Sequence, residues 1–442
     1  MPKFHGLNKG LRPFVFKKVN IVVIVALFYY SCASVFKAYE YEIPGAYNKI
    51  IKVKKNKEPV ITENNQTKFL VDAEEIMPEV LNVIDMAKNK IQISVYLFGG
   101  KIAQEITEKL IEKKKQGVLI QFIADPTMGD LPFMIEAAKK QYDFMIKNGI
   151  EVRYFPIEYL PKGAVFLSNI RFINHTKIVI ADENIAVIGG MNFLDSEIIN
   201  HDFMIELKGS SAKVIADIAN LDWRKSKRIK NVYLANYETD NIPNKIPVKI
   251  ENSNVEIAQT GFFEQSIEKL ILKQINKAKT SINIEMLLFD HLGIMQALIN
   301  AKKRGVEVKV LLEKVSFDKY FDFKTPLAGV FNYNAIVKLS EAGISVKWFV
   351  PYKKGQIMHG KAALVDNETL IIGSANFTYP AFYRNHEICV AVTEPYIADK
   401  FNKIFTVDWN YHSEVPDLTI LQKFVGITID NIQGTVYKDS EY

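Results

Sequence analysis

Cysteine is almost absent from this chain of 442 residues, which contains only Cys32 and Cys389. Cys32 lies in an apolar stretch near the amino terminus, whereas Cys389 lies far downstream in the folded part. An intrachain disulfide is therefore not expected, and no CxxC pair or Cys/His cluster indicates zinc. The cysteines therefore do not indicate whether the protein lies in an oxidising or a reducing compartment.

The first 39 residues contain no acidic residue, and the first in the chain is Glu40. Five basic residues instead precede an uncharged apolar run of 18 residues, Val19–Phe36. This pattern predicts a hydrophobic helix over the end of residues 1–36, as a signal anchor or signal peptide. A buried helix of the fold is the alternative. The basic head favours a membrane-associated protein with an extracytoplasmic catalytic part, although lysines after Phe36 weaken that orientation.

Neither strong charge nor low hydrophobicity marks the rest of the chain. Hydrophobic residues make up 48%, charged residues 24%, and the net charge is +6. These values exclude a disordered protein, and the length favours two domain-sized units. The mild positive charge suits phosphate-bearing partners, whether lipid headgroups or nucleic acid.

The chain repeats one pattern of apolar strands separated by charged helices that end in glycine. The pattern predicts a parallel or mixed sheet covered on both faces, built twice. We expect two copies of one α/β domain, at 66–235 and 245–415, after a lysine-rich linker at 37–65 and before a carboxy-terminal tail at 416–442. The predicted strands are Ile91–Phe98, Val118–Asp125 and Ile150–Phe155 in the first copy, and Ile282–Phe289, Val306–Glu313 and Ile344–Phe349 in the second.

Histidine is scarce, with seven in the chain, yet two of them open matching segments. The segments read NHTKIVIADENIAVIGGMN (174–192) and MHGKAALVDNETLIIGSAN (358–376). In both, lysine, aspartate, glycine and asparagine follow the histidine at identical intervals. The matching positions are His175, Lys177, Asp182, Gly189 and Asn192, and His359, Lys361, Asp366, Gly373 and Asn376.

The spacing has a structural interpretation. A histidine and a lysine two residues apart on a strand point to the same face. The runs IVIA and AALV that follow are apolar throughout, which is typical of a strand buried on both sides. Each aspartate then falls in a turn, and each asparagine follows a glycine where a ligand can approach the backbone.

Two such segments facing each other would surround one tetrahedral group with two imidazoles and two lysines. One histidine would attack phosphorus and form a phosphohistidine, while the other protonates the leaving alcohol and later deprotonates the acceptor. Lysines and asparagines would stabilise the phosphoryl oxygens, so the chemistry needs neither a metal nor a cofactor. A histidine pKa near 6.5 allows the two imidazoles opposite protonation states at neutral pH.

A nucleophilic imidazole usually needs a carboxylate that fixes its tautomer. Asp202 follows His175 by 27 residues and Glu387 follows His359 by 28, which predicts one such partner for each histidine. The histidines that precede these acids, His201 and His386, are expected to be structural.

The two segments resemble the HKD motifs of the phospholipase D superfamily, HxKxxxxDxxxxxxG[GS]xN. The first half is most similar to the bacterial cardiolipin synthase branch, through Asn169–Arg171, the GGMN sequence and Trp223. The resemblance implies two pseudo-twofold-related α/β/α sandwich domains with one active site at their interface, so that a single chain supplies both half-sites. Motif residues implied to be functional are His175, Lys177, Asn192, His359, Lys361, Asn376 and Ser374.

The motifs also differ from each other. Gly190 stands where the second copy has Ser374, so one hydroxyl donor near the substrate is absent from the first half. The turn positions of Asp182 and Asp366 indicate a structural duty. Which histidine is the nucleophile stays open, with His175 favoured.

Four apolar segments hint at the substrate: Pro126–Met134, Phe155–Leu167, Val315–Tyr333 and Phe377–Tyr383. Three alternatives are open for them. They would insert into a bilayer interface or line a groove for acyl chains, they would stack on nucleic-acid bases, or they would pack on the folded domains. With the apolar amino terminus, they favour a membrane-associated enzyme that hydrolyses or transfers phospholipids. A metal-independent endonuclease of the same superfamily and an inactive scaffold that binds anionic lipid are the alternatives.

Overall fold

The computed structural model describes residues 58–63, 65–127, 132–155, 173–228, 254–261, 264–314 and 329–437. The predictions for the apolar amino-terminal segment, for Asn169–Arg171, for part of the loop at 126–134 and for most of the loops at 155–167 and 315–333 lie outside these residues. Within the described ranges, no helix combines the length and the apolarity needed to cross a membrane.

Short strands and helices alternate along the chain. The strands are β1 Val60–Thr62, β2 Gln66–Val71, β3 Lys90–Val95, β4 Phe98–Gly99, β5 Leu119–Ala124, β6 Glu151–Tyr154, β7 Ile178–Ala181, β8 Ile185–Gly189, β9 Phe193–Leu194, β10 Phe203–Lys208, β11 Lys227–Arg228, β12 Val255–Gly261, β13 Glu264–Gln265, β14 Ser281–Met286, β15 Glu307–Leu312, β16 Ser345–Phe349, β17 Lys361–Val365, β18 Thr369–Gly373, β19 Glu387–Thr393 and β20 Ser413–Glu414. The helices are α1 Asp72–Met86, α2 Gly100–Lys115, α3 Pro132–Lys147, α4 Ser210–Lys225, α5 Ile267–Lys277, α6 Leu292–Lys303, α7 Tyr333–Glu341, α8 Tyr379–Tyr383, α9 Pro395–Tyr411 and α10 Ile420–Tyr437.

The strands form two large sheets with the same internal order. The first runs β2-β10-β8-β7-β3-β5-β6-β11, and the second runs β12-β19-β18-β17-β14-β15-β16-β20, with β1 and β13 added at β12. In each sheet three strands are parallel, β3-β5-β6 and β14-β15-β16, and their neighbours are antiparallel. The predicted duplication of one mixed α/β unit is therefore confirmed.

Both faces of each central strand are buried, as the apolar runs predict. In β7, Ile178 and Ile180 join a core shared by the two sheets, while Val179 and Ala181 face the helices outside. In β17, Ala362 and Leu364 lie in the same shared core. Period-two alternation thus assigns one face of each sheet to the partner sheet and the other to its own helices.

Helices cover both faces of each sheet. Residues of α1, α2 and α3 pack in the outer core of the first half, and residues of α5, α6 and α7 pack in that of the second. Residues of α4 and α9 instead belong to the core between the sheets. The two halves therefore share a hydrophobic core, which fixes their relative position.

Two segments near the predicted domain boundaries pack on the second half. β1 lies within the range expected to be a linker and pairs antiparallel with β12. In the carboxy-terminal tail, α10 contacts α7: Gly426 lies against the backbone of Tyr333, and Gln422 Nε2 donates to the Tyr333 hydroxyl at 2.8 Å. The boundaries themselves stay predictions.

Candidate active site

Two short backbone bridges join the halves beside the motif histidines. Asn174 pairs with His386, and Met358 pairs with His201, in each case as a parallel bridge. The His175 amide donates to the His386 carbonyl at 2.9 Å, and the His359 amide donates to the His201 carbonyl at 2.7 Å. The segment that begins each motif is thereby fixed to the segment that carries the acid of the other half.

This pairing gives each imidazole a carboxylate from the opposite half. His175 Nδ1 lies 3.0 Å from the Glu387 carboxylate, and His359 Nδ1 lies 2.5 Å from Asp202 Oδ2. All four side chains are buried. The assignment of each acid to the histidine of its own half is therefore wrong, because the bridges place the strand with the acid beside the opposite motif. Each motif histidine therefore takes its carboxylate partner from the other half.

The two lysines lie where the strand periodicity predicts. Lys177 Nζ donates to the His175 carbonyl at 2.7 Å, and Lys361 Nζ donates to the His359 carbonyl at 2.6 Å. Lys361 Nζ is also 3.2 Å from His359 Nδ1. The exposed fractions of the two residues are only 1% and 3%. Two ammonium groups are thus held inside the protein, where they suit an anionic ligand.

Burial and the lysines depress the pKa values of the site. Burial lowers the pKa of His175 to about 4; Glu387 opposes this, while Lys177 and Lys361 lower it further. Burial, reinforced by Lys361, lowers the pKa of Lys177 to about 7. The pKa values of His359 and Lys361 are lowered as well, chiefly by burial. Because charges of one half act on groups of the other, the two motifs form one electrostatic unit.

These shifts correct one expectation about protonation. Without a ligand both imidazoles are neutral at pH 7, not oppositely protonated, since each pKa lies below its ordinary value. An anionic ligand would raise both pKa values by favouring the charged forms. Binding of such a ligand would therefore favour the uptake of a proton by an imidazole.

The asparagines and the small residues occupy equivalent positions in the two halves. Asn192 and Asn376 are buried, and their Oδ1 atoms have no hydrogen-bond partner among the described residues. The Ser374 hydroxyl donates to Glu387 at 2.5 Å, so it helps to position that carboxylate. A Cβ at Gly190 would lie 2.2 Å from Asp202 Oδ1, so a serine does not fit there. The missing hydroxyl of the first half thus follows from the place that Asp202 takes.

The motif aspartates lie away from this chemistry. Asp182 and Asp366 have positive φ angles of 51° and 54° in the turns after β7 and β17. Asp182 accepts three backbone amides, from residues 88, 89 and 90, at 2.7–2.8 Å, and Asp366 accepts the amides of residues 279, 280 and 281. Both aspartates fix the start of the central strand of their sheet, as their turn positions indicate.

A second pair of contacts between the halves was not predicted from the sequence. It lies beside the pairs of the motif histidines with Glu387 and Asp202. His386 Nε2 lies 2.7 Å from Asp222, and His201 Nε2 lies 3.1 Å from Asp408. Each aspartate comes from the half opposite its histidine. The sequence does carry the signal, because Asp-Trp follows each acid of the site by 20 or 21 residues, at Asp222-Trp223 and Asp408-Trp409. His201 and His386 are buried and serve this structural pairing.

Of the apolar segments, Phe377–Tyr383 lies within the described residues. Phe377, Ala381 and Phe382 are buried in the core of the second half. For this segment, the structure therefore favours the alternative in which it packs on the folded domain.

Comparisons with known proteins agree with this architecture. The family described as "Cardiolipin synthase, PLD-like domain" matches residues 80–223 and 271–409. A probable cardiolipin synthase of Bacillus subtilis, YwiE, is 28% identical over 347 residues, which are 76% of this chain and 64% of that protein. Cardiolipin synthase A of Buchnera aphidicola is 24% identical over 410 residues, which are 87% of this chain and 76% of that protein.

Solved structures agree at the level of the fold. The phosphatidylserine synthase of Haemophilus influenzae superposes with a TM-score of 0.64 at 13% identity, covering 89% of this chain and 98% of that one. At this identity the likeness shows the fold alone. The chain spans less than two thirds of the length of the Bacillus relative.

Proposed function

This chain belongs to the cardiolipin synthase, phospholipase D-like family, and from that premise we propose that it hydrolyses or transfers phosphatidyl groups through a phosphohistidine. The observation that carries the proposal is the pair of crossed contacts, His175 with Glu387 and His359 with Asp202. They supply two oriented imidazoles in one buried, lysine-containing site. Such a site suits in-line displacement at the phosphorus of an anionic diester.

The proposed reaction has two displacements. In the first, His175 Nε2 attacks phosphorus, a P–N bond forms, the P–O bond to the leaving alcohol breaks, and protonated His359 gives that alcohol its proton. In the second, His359 takes a proton from water or an alcohol, whose oxygen attacks phosphorus and breaks the P–N bond. Glu387 and Asp202 accept from the Nδ1 atoms and leave Nε2 for the chemistry.

The lysines and asparagines have the remaining proposed roles. Lys177 and Lys361 are buried ammonium groups, and interaction with the phosphoryl oxygens would offset the cost of burying them. Asn192 and Asn376 would donate from their carboxamides to the same oxygens. We propose a phospholipid as substrate and a membrane as partner, with water or a lipid glycerol headgroup as acceptor.

Products identify the substrate class. The purified protein would be incubated with vesicles that contain labelled phosphatidylglycerol and, in parallel, with labelled single-stranded DNA and RNA. We expect phosphatidic acid from hydrolysis or cardiolipin from transfer, with the nucleic acids intact. Cleaved nucleic acid without a lipid product would instead indicate the endonuclease. Vesicle binding without turnover, unchanged in His175→Ala and His359→Ala, would indicate the scaffold.

The pH dependence of kcat/KM should reflect the shifted groups of the free enzyme. Activity should fall below about 4, where His175 takes up a proton and stops being a nucleophile. It should also fall on the alkaline side, first as His359, the acid of the first step, loses its proton, and further above about 7, where Lys177 loses the proton that attracts the anionic substrate. The alkaline limb of kcat should lie at higher pH, because bound phosphate raises the pKa of Lys177. A kcat/KM that stays constant to pH 9 would contradict the role of Lys177.

A further inference from the structure

A second buried cluster lies between the halves, behind the candidate active site. It comprises His201 of the first half with Glu285 and Asp408 of the second. His201 Nε2 lies 3.1 Å from Asp408 Oδ2 and 3.6 Å from Glu285 Oε2, and one ligand atom from each residue lies within 4.8 Å of the other two. The exposed fractions of the three residues are 2%, 0% and 0%.

The cluster has polar atoms without hydrogen-bond partners. Neither carboxylate oxygen of Glu285 has one among the described residues. His201 Nε2 and Asp408 Oδ2 form an ion-pair contact at 3.1 Å, but they are not aligned for a hydrogen bond. A buried carboxylate without a hydrogen bond costs free energy that a fold rarely tolerates. These atoms lie close enough together for one ligand to accept lone pairs from all three residues.

The other ring nitrogen of His201, Nδ1, contacts a third carboxyl side chain. His201 Nδ1 lies 2.8 Å from Asp72 Oδ1, which leaves Nε2 directed at Glu285 and Asp408. A histidine that binds a metal through one nitrogen usually donates its other N–H to a carboxylate, which fixes the tautomer. Asp72 occupies that position.

The equivalent place in the other half serves as an internal comparison. There His386 has Asp222 on Nε2 and the Thr260 carbonyl on Nδ1, which fully accounts for its two nitrogens. The strand position of Glu285, fifth in β14, is occupied in β3 by Ser94, whose hydroxyl bonds Asn174 and Thr176. The extra carboxylate, and with it the unpartnered oxygens, therefore occurs at only one of these two equivalent places among the described residues.

We propose that His201, Glu285 and Asp408 bind a divalent transition-metal ion that stabilises the contact between the halves. Ligand bonds of about 2.0–2.2 Å separate neighbouring ligand atoms by about 3–3.6 Å, which matches the separations around His201 Nε2. One imidazole and two carboxylates suit Zn²⁺ or Mn²⁺. The ion takes no part in the reaction at His175 and His359.

The proposed ion would also affect the neighbouring pair of His359 and Asp202. The His201 carbonyl accepts the His359 amide at 2.7 Å, and the next residue, Asp202, contacts the His359 ring. An ion on His201 would hold both of these contacts in place. Because the ligands come from both halves, the ion would bind as the halves assemble during folding.

Metal content and thermal stability test the site without reference to catalysis. The full chain would be analysed for bound metal as purified, and its Tm measured after chelation and after addition of Zn²⁺ or Mn²⁺. We expect one ion per chain and a Tm that rises by several degrees with metal, since a ligand of the folded state stabilises it. Glu285→Gln should abolish this rise, yet without metal its Tm should equal or exceed that of the wild type, because one buried carboxylate is removed.

Two further variants make the outcome specific. Asp72→Asn should weaken metal binding by about 10- to 100-fold without strain, since asparagine tolerates the φ of 57° at this position. Glu206→Gln removes another buried carboxylate, which has Lys208 beside it, and should retain the full metal response. A wild type that contains no metal and gains no stability from either ion, or a Glu285→Gln variant that responds like the wild type, would overturn the proposal.

Discussion

Alanine in place of His175 or of His359 should lower turnover of a natural phospholipid by at least about 10⁴-fold. The two losses should differ when the leaving group no longer needs a proton. With a nitrophenyl phosphatidyl ester, His359→Ala should release about one equivalent of nitrophenol and then stop, because the base that activates the acceptor is missing. His175→Ala should release none, because no other group forms the P–N bond.

The covalent product distinguishes the two assignments. With label in the phosphatidyl group, His359→Ala should accumulate an acid-labile, base-stable adduct that maps to His175. Adduct on His359 in the His175→Ala variant would reverse the roles, while leaving the two-step mechanism in place. Turnover of the natural lipid by both variants at wild-type rates would refute the mechanism itself. Thermal unfolding of each variant serves as the control for folding.

Methionine in place of Lys177 should inactivate the protein and stabilise it at the same time. The lost interaction with the phosphoryl oxygens should lower kcat by about 10²- to 10³-fold. The fold, however, holds this ammonium at a pKa of about 7, so burying the charge costs stability. Methionine keeps the apolar stem and removes the charge, for an expected gain of about 1–3 kcal/mol in the free energy of unfolding.

The gain in the free energy of unfolding of Lys177→Met should decrease as the pH rises. Below pH 7 both folded and unfolded states carry the Lys177 proton, and the cost of burial is complete. Between about 7 and the unfolded pKa of about 10.4, the unfolded state binds more protons, so wild-type stability rises with pH and the advantage of the variant shrinks. Denaturant titrations at pH 6 and 9 measure this difference. Lys361→Ala should likewise lose turnover and keep its fold.

An exposed lysine provides the matched control. The Lys213 side chain is 52% exposed and pairs with Glu183 and Asp217. Lys213→Met should leave turnover unchanged and should not stabilise the protein. A Lys177→Met variant that is less stable than the wild type at pH 6 would contradict the cost assigned to the buried charge.

Much of this architecture follows from short-range patterns in the sequence. The runs IVIA and AALV indicate doubly buried strands, and Ile178 and Leu364 indeed lie in the core between the sheets. The turn position of Asp182 predicts its capping role, because a carboxylate after a strand accepts nearby amides. The residues of the candidate active site are recognisable because each half repeats them at fixed intervals.

What spacing did not reveal is how the halves pair. Asp202 lies closer in sequence to His175, yet its carboxylate contacts His359. A sequence interval reports only contacts within a half, whereas this contact depends on backbone pairing between Met358 and His201. For the same reason, nothing in the sequence indicates that Glu285 meets His201, since its strand also contains Asn283 and resembles an ordinary alternating strand.

The crossed contacts have a consequence for how such a protein gains its activity. A half-length chain would hold an imidazole without the carboxylate that orients it, and would complete both pairs only by associating with a second copy. Its activity would then rise steeply with its own concentration and vanish on dilution. Joining the halves in one polypeptide replaces that bimolecular encounter with an internal one of high effective concentration. The fused chain can therefore complete both pairs within one molecule, even at very low copy number.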